Sequence, residues 1–399
     1  MHRFGRGVRA EWPLDPAITY LNHGTVGVTP RRVLAAQQEI RDEIERQPSQ
    51  FLLRELTSIS VGAPGAEAPR MRRAAAAVAG FVGADADDLV FVDNATTGAN
   101  AVLRSFPLVA GDEILVTDLG YGGVTHAAVF AARQRGAVVR TAAMPCPIHS
   151  ASQLVEAIVA AIGPRTRLAI VDHITSQSAL IMPLAEIAAE CRSRGVAVLA
   201  DGAHAPGAIP LDIPSLGVDW YVANLHKWMW VPRSSGILWA APERKPDLHP
   251  AVISWGLDQG FTAEFDLPGT RDPSPHLAAP AAIRMKEELG VAAVREYNHS
   301  LAWEGARLLA ERWDSEFVTP ESMIGTMATV PLPPSMGSTA DAATQLRTQL
   351  LFDDRIEVQL HAYRGRLHAR ISAQIYNELD DVERLAASVV RRRAAAAVS

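Results

Sequence analysis

Cysteine is nearly absent: two residues, Cys146 and Cys191, in a chain of 399. They make no metal-ligand spacing and no disulfide framework. Cys191 falls in an apolar helical stretch and reads as a small buried side chain. Cys146 stands between two prolines, in a loop. No apolar run approaches the ~20 residues that cross a bilayer. The opening MHRFGRGVRAEWPLD lacks the long apolar core of a secretory signal. The expectation is a soluble, cytoplasmic protein with no membrane partner. A basic excess is missing too, since the formal net charge is −6. Nucleic-acid binding needs a clustered basic face. The one basic run, Arg391 to Arg393, ends a predicted C-terminal helix, where it complements the helix dipole. No nucleic-acid partner is expected. There is no internal repeat and no low-complexity linker.

What is present is an apolar fraction of 48%, enough for one large domain and a smaller one. From residue 70 to about residue 240 the pattern alternates between helix and strand. Residues 70–83 are Ala-rich with a Gly stop and read as a helix. Strands follow at 89–94, 113–118, 138–142, 167–174, 196–204, 220–227 and 236–241, with helices at about 123–135, 154–163 and from Pro183 to Gly195. Apolar strands separated by helices indicate a parallel sheet covered on both faces, an α/β architecture. Ligands of such sheets sit beyond the carboxyl ends of the strands. Polar residues cluster there: Asn94 and Thr96, Asp118 and Tyr121, His173 and Thr175, Asp201 and His204. After about residue 265 the texture changes to helices at 276–290 and 291–313, a strand at 325–333, a helix at 341–352, a hairpin around 363–366 and a last helix. This predicts an N-terminal segment over 1–30, a large domain over 31–264 and a small α+β domain over 265–399. A helix of about 30–47 would pack beside the small one.

Four local patterns carry chemistry. The first is LADGAHAPG at 199–207, followed 26 residues after Asp201 by Lys227 in NLHKW. An acid at the end of a buried strand needs a partner, and a protonated pyridine nitrogen is one. A lysine flanked by His226 and Trp228 is poorly solvated, which lowers its pKa and suits imine chemistry. Alone, Lys227 would read as a surface lysine and Asp201 as a turn former. The pair, with its intervening strand, overturns both readings. The second is DNATTGAN at 93–100, where free N–H groups at a helix start suit a phosphate. A capped helix explains the same residues equally well. The third is Tyr121, just past a strand end, where a ring can stack on a planar group or simply lie half-buried in a loop. The fourth is Arg370 in RISAQIYN, a fork suited to a carboxylate or an ordinary strand arginine.

Together with YLNHGTVG (20–27), DHITSQ (172–177) and GTRDPSP (269–275), these segments resemble the class V aminotransferase family of fold-type I enzymes, in particular its isopenicillin N epimerase-like branch. The resemblance runs in order from about residue 18 to 390. It implies the fold-type I architecture, a large domain with a mostly parallel central sheet and a smaller α+β C-terminal domain. It also implies pyridoxal 5′-phosphate as the cofactor. Lys227 would hold it as a Schiff base and shuttle the Cα proton, and Asp201 would pair with the ring nitrogen. His204, where many relatives have Gln, would lie near the ring's phenolic oxygen, with Ser176 and Thr175. Ala95, Thr96 and Thr97 would cradle the phosphate, completed by Asn224 and His226; Asn224 replaces the Ser or Thr commoner in relatives. Tyr121 would stack on the ring. Thr270 would reach the phosphate of a partner subunit, which implies a homodimer. Arg370 would hold the α-carboxylate of a small amino-acid substrate, with Asn22 and His23 lining its pocket.

One departure narrows the chemistry. Cysteine desulfurases need a nucleophilic cysteine shortly before the arginine strand, and here that stretch reads VQLHAYRGRLHAR. A persulfide-forming enzyme is therefore not expected. Epimerisation, cleavage of a C–S bond and transamination all stay open. A cofactor-fold protein without catalytic function would be expected to lose Lys227 or Asp201, and both are present. Epimerisation needs an acid facing Lys227, for which His23, His361 or a water are candidates. The stretch NLHKWMWVPRSSG also resembles sulfoxide C–S lyases. Loops 47–69 and 254–275 are expected to set specificity.

Overall fold

The computed structural model describes residues 4–57 and 68–396; part of the predicted specificity loop 47–69 thus lies outside the described residues. In chain order the strands are β1 (Thr19–Tyr20), β2 (Leu89–Val92), β3 (Glu113–Thr117), β4 (Val138–Ala142), β5 (Thr166–Asp172) and β6 (Ala197–Asp201). They continue as β7 (Trp220–Asn224), β8 (Gly236–Ala240), β9 (Met327–Pro331), β10 (Ile356–Glu357), β11 (Gln359–Tyr363) and β12 (Arg366–Ser372). Strands β2 to β8 form one seven-stranded sheet in the order β2-β8-β7-β6-β5-β3-β4. Successive side chains alternate between its two faces, as strand geometry requires. Leu115, Val171, Val198 and Tyr221 enter one apolar cluster, while Ile114, Ile170, Leu199 and Val222 enter another. Both faces are covered, which is why these strands read as continuous apolar runs.

One strand departs from the all-parallel pattern. β8 runs antiparallel to both neighbours, β2 and β7. A parallel return needs a crossover of a dozen or more residues, usually a helix. The connection from β7 to β8 is only residues 225–235, without a helix. That short return carries Lys227, so the loop that reverses the chain also delivers the amine to the strand ends.

A third apolar cluster lies under the three-stranded sheet β11-β12-β9. It is closed by the helices Val291–Trp313, Ala340–Phe352 and Leu379–Ala396. The N-terminal segment reaches this region directly, because β1 pairs in parallel with β10. The helix Arg31–Arg46 packs on the short helix Ser274–Leu277 and on Ala279–Leu289, and the last of these also packs on Arg70–Phe81. Cys191 is fully buried and Cys146 exposed. Among the described residues no helix is long and apolar enough to cross a membrane.

Candidate active site

A cavity of about 820 Å³ opens at the carboxyl ends of β5, β6 and β7, beside the start of the helix Ala95–Ser105. Its lining includes Ala95, Thr96, Thr97, Tyr121, Ser176, Asp201, His204, Asn224, His226, Lys227 and Arg370. Eleven side chains singled out from sequence therefore converge, from segments that span residues 95 to 370.

Asp201 ends β6 and is buried. Its Oδ1 accepts from the Ala203 N–H at 2.9 Å, whereas Oδ2 is buried without a partner. Burial pushes this carboxyl up, partly offset by that hydrogen bond and by the charge of Lys227. Asp172, at the end of β5, is its register partner. Burial raises the Asp172 carboxyl well above the usual range, and the charge of Asp201 adds to this. Its Oδ1 accepts from the Tyr121 N–H at 3.4 Å. Sequence reasoning named the polar residues just after β5 and passed over Asp172. The signal that found Asp201, an acid closing an apolar strand, applies to it equally.

The Lys227 amine is buried. Burial, and after it the charge of Arg370, lower its pKa to about 7, while Asp201 and Asp172 oppose the shift. Its Nζ lies 3.0 Å from His204 Nε2. The Trp228 indole N–H donates to His204 Nδ1 at 3.5 Å. With Nδ1 accepting, the proton of a neutral imidazole belongs on Nε2. Burial holds His204 well below the ordinary histidine range, so the ring is neutral and donates to the lysine lone pair. The chain contains three lysines: 227, 245 and 286. Lys245 pairs with Asp88 at 2.5 Å, and Lys286 packs its amine over the Trp230 ring. Lys227 alone lines the cavity.

Asn94 caps the helix Ala95–Ser105, its Oδ1 accepting from the Thr97 N–H at 2.9 Å. Asn224 Oδ1 accepts from the Ala95 N–H, also at 2.9 Å. The helix start keeps its positive end towards the cavity, and Thr96, Thr97 and His226 complete that corner. His226 Nδ1 is buried and unpartnered. These features fit pyridoxal phosphate: an amine for its aldehyde, an orphaned carboxylate oxygen for its ring nitrogen and a helix start for its phosphate.

Arg370 lies on β12, buried, with Nη1 donating to the Ser176 carbonyl at 2.5 Å and Nη2 to Thr25 Oγ1 at 2.8 Å. Its Nε is unpartnered. Thr25, Gln177 and Gln359 also line the cavity and were not singled out from sequence, although Thr25 and Gln177 lie in quoted motifs.

Five expected residues stand elsewhere. Asn22 lies behind Arg370, its side-chain carbonyl accepting from Nη2 at 3.4 Å. His23 is fully buried behind the lysine loop; its ring contacts the Tyr376 hydroxyl at 2.9 Å and the Lys227 carbonyl at 3.0 Å. Neither lines the cavity. Thr175 is buried, and its hydroxyl accepts from the Leu180 N–H. Thr270 is exposed and lines two surface clefts, one of which also includes Thr97. His361 lies in an adjacent pocket, stacked on His368.

Comparison with known proteins fits this geometry. The profile of the family described as aminotransferase class-V matches residues 58–385. Isopenicillin N epimerase of Streptomyces clavuligerus is 33% identical over 396 residues, 95% of this chain and 96% of that protein. An L-cysteine desulfhydrase of Arabidopsis thaliana is 29% identical over 92% of this chain and 86% of that protein. The structure of a cystine C–S lyase in complex with cysteine persulfide superposes with a TM-score of 0.74 at 22% identity, covering 93% of this chain and 97% of that one.

Proposed function

The chain belongs to the class V aminotransferase family of pyridoxal-phosphate enzymes, and from that premise we propose that it breaks the Cα–H bond of an α-amino acid with Lys227 as the base. The observation that carries this reading is the Lys227 amine, buried in the cavity with its pKa lowered to about 7. Lys227 would hold the aldehyde carbon of the cofactor, Asp201 its ring nitrogen, and Ala95 to Thr97 with Asn224 and His226 its phosphate. When bound, the cofactor supplies a sink for the electron pair released at Cα. Arg370 binds the α-carboxylate with its fork and fixes Cα in front of Lys227. His204, neutral, donates to the lysine nitrogen and keeps it aligned. The lysine then takes the proton as a free amine, a role its pKa suits near neutral pH.

For the outcome we propose an epimerase-type reaction, in line with the 33% identity to isopenicillin N epimerase over 95% of this chain. The proton returned to the other face needs a donor carried apart from Lys227. Tyr121, half-exposed at the cavity and placed just before the helix Gly122–Gln134, supplies a phenol there. A second reading, cleavage of a C–S bond after the same proton abstraction, is favoured by a specific observation. His23 and His361, the imidazoles that epimerisation would use, both stand outside the cavity. Incubation with a cysteine-derived sulfoxide in deuterated buffer separates the two. Deuterium at Cα of an intact substrate supports the epimerase reading, and pyruvate release supports the lyase.

We also propose a homodimer in which Thr270 serves the neighbouring site. Thr270 shares its surface cleft with Leu53 and Trp255, both strongly exposed. Such apolar exposure marks an interaction surface.

A further inference from the structure

The β11–β12 hairpin turns on two residues, Arg364 and Gly365, since Tyr363 still pairs with Arg366. Both have positive φ, 47° and 72°, as in a type I′ turn. Asparagine followed by glycine suits such a turn. An arginine in the first position carries its Cβ into the left-handed region, which is uncommon for a non-glycine residue. The turn itself gives no reason for an arginine; the contacts of its guanidinium do.

Arg364 Nη2 donates to Asp118 Oδ2 at 3.2 Å and to the Met144 carbonyl at 2.6 Å. Asp118 Oδ1 in turn accepts from the Met144 N–H at 2.9 Å. One nitrogen thus joins the hairpin tip to the loops that follow β3 and β4. The loop after β3 runs from Asp118 to Tyr121, at the main cavity. Tyr121 is lightly held at its own backbone, where the N–H reaches Asp172 Oδ1 only at 3.4 Å. The root of the same hairpin is tied to the loop after β5. There Arg370 donates to the Ser176 carbonyl, and Thr329, opposite Arg370 on β9, donates to the Gln177 carbonyl at 2.7 Å. Ser176, Gln177 and Tyr121 all line the cavity. At ~3.4 Å per residue the hairpin bridges roughly 20 Å between the two loops.

The Arg364 and Asp118 side chains are 37% and 29% exposed. An ion pair that wet adds little to stability, and the left-handed arginine subtracts from it. A gain in stability therefore does not account for Arg364, and backbone strain of this kind persists where a function uses it. We propose that Arg364 is a positioning residue that pins Tyr121 at the cavity, so that one hairpin holds Arg370 at its root and the Tyr121 loop at its tip. The pinned group is the phenol that would return the proton to Cα, and that consequence rests on the epimerase-type reading above.

In Arg364→Asn the turn gains the residue it prefers and loses the guanidinium. The melting temperature of the holoenzyme is expected to stay level or rise by about 1–3 °C. Hydrogen exchange of the peptide over 118–124 is nevertheless expected to quicken about threefold, the worth of a half-exposed ion pair, while the central strands keep their protection. Asp118→Asn, whose side-chain carbonyl can still accept from Met144, is expected to do the same, and the double variant no more than either alone. L-Alanine in deuterated buffer probes the consequence. The yield of D-alanine relative to L-alanine deuterated at Cα is expected to fall about threefold in each variant. A lowered melting temperature in Arg364→Asn, or unchanged exchange over 118–124, would overturn the positioning role. A wild-type enzyme that deuterates L-alanine but forms no D-alanine would instead overturn the epimerase-type reading, and exchange over 118–124 would still decide the role of Arg364.

Discussion

At the scale of single residues, the site works through burial. The Lys227 amine sits with its pKa lowered to about 7, first by desolvation and then by the charge of Arg370. Below that value the amine is protonated and cannot attack an aldehyde; above it the amine is free. The rate at which the apoenzyme captures pyridoxal phosphate is therefore expected to rise about tenfold per pH unit below neutrality and to level off near pH 7. An ordinary lysine would keep rising towards ~10.4. Stopped-flow traces that climb without a plateau past about pH 9 would contradict the lowered value. Much of this chemistry was legible in the sequence. An acid that closes an apolar strand, with a lysine one strand later, places two charges where burial is costly unless each meets a partner, and the cofactor supplies both partners. The positions of Asn22 and His23 were not legible. The motif YLNHGTVG puts both near the site, but only tertiary packing decides that Thr25 faces the cavity while His23 turns behind the lysine loop.

At the scale of elements, the short return from β7 to β8 is what brings Lys227 to the strand ends. Its shape depends on two glycines contributed from elsewhere. Gly27 and Gly207 both have positive φ, and a Cβ on either would collide with the backbone carbonyl of His226 or Trp228, the residues flanking Lys227. Neither carbonyl belongs to a flexible side chain that can move aside. Gly207→Ala is expected to destabilise the protein by more than ~1 kcal/mol, since the residue adds positive-φ strain to a backbone clash. It should also weaken cofactor retention. Thermal unfolding and the visible band of the same sample check both effects; an unchanged melting temperature with full cofactor content would show that the loop does not need this close approach. The sequence marks these glycines only as turn formers. That β8 reverses direction was hidden as well, because an apolar run of five residues has no direction until its connection length is weighed against the reach of a crossover.

At the scale of the whole molecule, alternating helices and strands up to residue 240 were enough to expect the covered sheet. The change of texture afterwards announced a second kind of packing. What periodicity does not reveal is which helix meets which: Ala279–Leu289 comes after that change yet packs on Arg70–Phe81. The pairing of β1 with β10 joins segments more than three hundred residues apart, from two residues each, too short for any periodic signal. The stacking of His361 on His368 was hidden for a related reason. The two rings meet only once the hairpin register is known.

The whole chain also offers an unusually direct test of the central claim, because it holds only three lysines. Reduction of the holoenzyme with borohydride, proteolysis and mass spectrometry locate the lysine that holds the cofactor. The account predicts the reduced pyridoxyl mass on the peptide containing Lys227 and on neither of the others. Label on Lys245 or Lys286, or a bound cofactor that leaves all three lysines unmodified, would contradict it.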